Sequence, residues 1–143
     1  MRTAFVGALT ALLLIGCGVA SQSSTRCTKE MAIGAERAID GMTTWPRIFE
    51  AFTHYGQCDD GVVAEGFDDK IVRLLVEHWE STDELSNLSL SNPRFEKFVL
   101  KHIDTLMSPN HAKTIILNAE QKCPVGARKL CDRLIVKARY PDE

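Results

Sequence analysis

The side chains in this chain that could do chemistry are five cysteines, four histidines and a dense run of carboxylates. Between residues 59 and 84 stand Asp59, Asp60, Glu65, Asp68, Asp69, Glu77, Glu80, Asp83 and Glu84, against Lys70 and Arg73, a local charge of −7. Residues 101–143 hold eight Lys/Arg against five Asp/Glu, a local charge of +3. The chain is electrically lopsided although its net charge is only −2. Some of these acids belong at helix starts, where a carboxylate accepts free backbone N–H groups. The others form a face suited to steering and docking a basic protein. Tyr55 and Phe67 flank the turn at Cys58 and offer aromatic anchors. The expected contact set is therefore Tyr55, Asp59, Asp60, Glu65, Phe67 and Asp69. Nucleic acid is not expected as a partner, since phosphate binding needs clustered excess Lys/Arg.

Other chemistries fit less well. A calcium loop needs acids at alternating positions and a glutamate at position twelve. Asp59-Asp60-Gly61 has adjacent aspartates instead. A zinc site needs close cysteine spacing, which is missing. No metal or cofactor is expected. Paired carboxylates could serve glycoside hydrolysis, yet no acid stands out by its sequence context. His54, His78, His102 and His111 show no ligand spacing. His78 and His102 fall on apolar helical stripes, as partly buried structural histidines do. His111 falls in a first helical turn, at the surface. The chain lacks G-x-S-x-G, Walker and dinucleotide-loop patterns, so no catalytic residue is assigned.

Residues 1–17 explain the fifth cysteine. Met1-Arg2 is a cationic start, and Ala4 to Ile15 is an apolar run too short to span a bilayer. Its end, Leu14-Ile15-Gly16-Cys17, resembles the lipobox of bacterial lipoproteins. That resemblance implies lipidation at Cys17 and an outer-membrane lipoprotein facing the periplasm. Cleavage after Ala20 also satisfies the small-x-small rule, and would leave a soluble periplasmic or secreted protein. Four cysteines then remain: Cys27, Cys58, Cys123 and Cys131. An even number in an exported small domain predicts two disulfides. Three connectivities are open. Cys123 and Cys131 lie close across Pro124 and Gly126, which favours a local link and leaves Cys27 with Cys58.

These groups need a scaffold. Residues 18–26 are small and polar, a flexible tether. From residue 27 onward the apolar spacing is helical throughout, and no stretch alternates as a strand does. Helices are expected over 28–42, 44–56, 82–91, 92 to about 106, 108–123 and 127–139. Thr44-Trp45-Pro46, Asn92-Pro93 and Ser108-Pro109 each place a capping residue near a first-turn proline. The stretch 58–80 reads as an acidic turn that breaks at Gly66, then a buried helix capped by Asp68. A continuous helix would aim Asp68 into an apolar face, a costly place for an unpaired carboxylate. Trp45 and Trp79 are expected in the core. The fold class is all-α, one compact domain of about six short helices stapled by two disulfides.

Size, export and an acidic face together are similar in type to immunity proteins and inhibitors that neutralise cationic toxins or cell-wall hydrolases. The likeness extends to no alignable motif. The expected function is a lipid-anchored envelope binding protein for a basic toxin or hydrolase. A structural or assembly lipoprotein is the alternative.

Overall fold

A computed structural model describes residues 26–142. The signal segment, Cys17 and the tether up to residue 25 lie outside the described residues. Among those described, the structure is all-α. Seven α-helices follow one another: α1 (Lys29–Ala38), α2 (Trp45–Tyr55), α3 (Gly61–Glu77), α4 (Thr82–Ser91), α5 (Pro93–Lys101), α6 (Pro109–Gln121) and α7 (Arg128–Arg139). Short 3₁₀ turns at Ile39–Gly41, Gly56–Cys58 and Trp79–Ser81 join several of them. No described helix is long and apolar enough to cross a membrane.

The helix starts follow local chemistry. Thr28 Oγ1 accepts the Met31 N–H at 3.2 Å and opens α1. Asn92 Oδ1 accepts the N–H groups of Arg94 and Phe95 ahead of Pro93. Ser108 Oγ does the same for His111 ahead of Pro109. Such bonds satisfy donors that a helix leaves free at its first turn. Thr44 precedes Pro46 but makes no capping bond.

The central stretch corrects the expected break at Gly66. Helix α3 runs unbroken for 17 residues from Gly61, and its N-cap is Asp60, not Asp68. Gly66 does not end a helix. It lets the turn after α1 approach, since a Cβ there would meet Ile39, with Cγ1 only 2.7 Å away. Helix α3 buries Val63, Phe67, Ile71, Val72, Leu74 and Leu75 and is the spine of the core. Trp79 lies just past its end. There its indole N–H donates to the Lys122 carbonyl at 2.8 Å, tying this corner to the end of α6.

Both disulfides have the expected pairing. Cys27–Cys58 holds the start of α1 against the turn before α3, with Cα atoms 4.9 Å apart. Cys123–Cys131 closes the corner between α6 and α7, with Cα atoms 6.1 Å apart. Gly126 turns this corner at φ 87°, a left-handed conformation that side chains disfavour.

Candidate functional site

The site begins with a helix that ends early. The apolar stripe from Phe95 predicted continuation to Leu106, but α5 stops at Lys101. Leu106 is 79% exposed, and the Asp104 carboxylate instead accepts the Leu106 N–H at 2.8 Å. That side-chain bond stabilises a turn in competition with the helix. The early stop leaves His102 at the C-cap of α5, turned inward and only 2% exposed.

His102 lies between two carboxylates. Its Nδ1 is 2.6 Å from Asp68 Oδ1 on α3. Its Nε2 is 3.4 Å from Asp59 Oδ1, close but without hydrogen-bond alignment. Lys101 Nζ donates to the other Asp59 oxygen at 2.6 Å. The imidazole also packs on Phe98 and Phe67, with ring centroids 4.4 and 5.5 Å away. Sequence reasoning rejected a continuous α3 because Asp68 would be unpaired on an apolar face. His102, 34 residues later, supplies the partner.

The two carboxyls respond differently. Burial works to raise Asp59, but the adjacent His102 ring and the Lys101 ammonium outweigh it and hold the group below its ordinary range. Burial raises Asp68, and the negative charges of Asp104 and Asp59 add to that. The bond and charge of His102 oppose the shift without cancelling it. Both ring nitrogens of His102 face carboxylates within the fold. The ring therefore bridges α3, α5 and the Cys58 turn, and it also forms part of the wall of the neighbouring cleft.

Beside this bridge a cleft of about 310 Å³ opens between α3 and the segment 102–111. Its floor is apolar, with Val72, Val76 and Met107, and exposed Leu106 stands at its mouth. Its rim carries Asp68, Asp69, Glu77 and Asp104 against the one cation Arg73, with His111 at the edge. Arg73 is itself drawn toward Asp69, 3.6 Å away.

The expected contact set does not form one surface. Phe67 is fully buried and packs edge-on against Phe98 at 4.8 Å, so it is a core residue and not a surface anchor. The Asp59 side chain is 8% exposed and committed to Lys101 and His102. Tyr55 is half-buried, close against Gly34. Asp60, Glu65 and Asp69 are exposed on α3 or at its start, and of the expected set Asp69 lines the cleft. His78, expected on an apolar face, points to solvent and lies 3.3 Å from Glu80. Val72, Val76, Glu77, Asp104, Leu106 and Met107 were not singled out as site residues. The aspartate two residues ahead of Leu106 was the available sign that the helix gives way to a turn there.

Among the described residues no group of three or more His, Cys, Asp or Glu side chains is arranged to hold a metal ion. Comparison with protein-family models, with curated proteins and with solved structures finds no match to this chain.

Proposed function

We propose that this is a small binding protein of the bacterial envelope, of immunity-protein or inhibitor type, that docks a basic protein partner through the acidic side of α3. The observation that carries the reading is the cleft: an apolar floor with four carboxylates and one arginine around it. Apolar floors give contact energy, while rim charge gives steering and partner choice. Exposed Asp60 and Glu65 extend the same charge toward the start of α3. Two disulfides suit an oxidising compartment. Lipidation at Cys17 would tether the domain to a membrane, and cleavage after Ala20 would release it.

Affinity capture from envelope extract tests the reading, with the chain compared to its Glu65→Lys/Glu77→Lys variant. A single basic protein held by the former and lost from the latter supports it. Capture of a resident assembly complex, unaffected by the reversals, moves the protein to the structural class and overturns the docking role.

A further inference from the structure

We propose that the cleft between α3 and the segment 102–111 receives one arginine side chain of the basic partner, its guanidinium against the acidic rim and an adjacent apolar side chain on the floor. This rests on reading the cleft as the docking site. At about 310 Å³ the space is at the small end of ligand sites, scaled to a side chain and its neighbour. Val72, Val76 and Met107 give the methylene stem a dry surface, and Leu106, 79% exposed, stands ready to be covered. Glu77 makes no ion pair among the described residues, and the Asp104 carboxylate bonds only the turn beneath it. Asp68 has one oxygen committed to His102. A guanidinium satisfies several such acceptors at once from a flat, weakly hydrated group that tolerates an apolar floor. A strongly hydrated ammonium suits the floor less. A hard metal ion gains nothing from it and finds no ready set of ligands.

The test is a titration of the methyl-labelled chain with acetyl-Leu-Arg-Leu-amide, followed by NMR. The methyl signals of Val72, Val76 and Met107 should shift, and the same peptide with neutral citrulline should leave them nearly unmoved. Glu77→Gln and Asp104→Asn should each weaken binding by up to about fivefold, the upper end for one exposed charge pair. Asparagine keeps an acceptor for the Leu106 N–H, so the turn survives. Equal binding of the citrulline peptide overturns the proposal. So does movement of the same signals with calcium chloride alone, or on concentrating the free chain. If the tripeptide fails while decalysine still binds and weakens with Glu65→Lys, the arginine site is wrong and the acidic docking surface stands. If decalysine also fails, both fall.

Discussion

His102 Nδ1 and Asp68 Oδ1 lie 2.6 Å apart, and this one contact reconciles a polar residue with the apolar side of the longest helix. A buried polar pair adds little over a well-packed apolar pair, but removing one partner leaves the other without its bond. His102→Leu strands Asp68, while Asp59 keeps its bond from Lys101. It should cost less than the ~3–5 kcal/mol of a fully buried pair, because the Asp68 side chain is 23% exposed, and the loss should appear as a fall in urea midpoint with an unchanged slope. Asp68→Asn should cost less, since the amide oxygen can still accept from the ring.

The two carboxylates give opposite pH slopes. Asp59, faced by Lys101 and His102, is held below its ordinary 3.8 in the fold. Its stabilisation is full above that value and is lost as pH falls through the lower, folded one. Asp68, faced by His102, Asp104 and Asp59, is raised above 3.8. Its contribution is full below 3.8 and declines as pH rises through the raised value. Thermal unfolding against pH should therefore flatten on the acid side in Asp59→Asn. In Asp68→Asn the loss of stability with rising pH that begins at 3.8 should flatten. Identical slopes in all three chains would contradict the assignment.

Gly66→Ala tests why the helix carries a glycine. Helix propensity alone favours alanine by about 1 kcal/mol. The collision with Ile39 opposes it, by about 1–3 kcal/mol for overpacking. Net destabilisation is expected, relieved by Ile39→Val in the same chain. A higher melting temperature for the single variant would show that the turn after α1 moves aside freely.

The disulfides should differ in weight. The Cys27–Cys58 bridge spans 31 residues and the Cys123–Cys131 bridge 8. By chain-entropy reasoning they contribute about 3.7 and about 2.5 kcal/mol. Paired Cys→Ser replacements, compared by denaturant unfolding, should show the larger loss for the first pair.

The helical periodicity, the proline-marked starts and both disulfide pairings were legible in the residues because each is local or follows from a small count. The continuity of α3 was not legible. It depends on His102 reaching Asp68 and on Ile39 reaching Gly66, contacts that no local pattern encodes. The early end of α5 was hidden by an apolar stripe that carried on past the helix. Acid density pointed to α3 and included Asp69, but it also drew in Asp59, whose charge is spent within the fold, and nearness to the Cys58 turn drew in Phe67, which is buried.

The central claim is that a basic partner docks at the cleft. A photo-crosslinking residue at Leu106, at the mouth of the cleft, against one at Leu90, equally exposed on α4, tests it inside the cell. The account predicts a crosslink to one basic protein from position 106 and none from position 90, abolished by Glu65→Lys/Glu77→Lys. Equal yields from both positions, or a crosslink at 106 that survives those reversals, would contradict it.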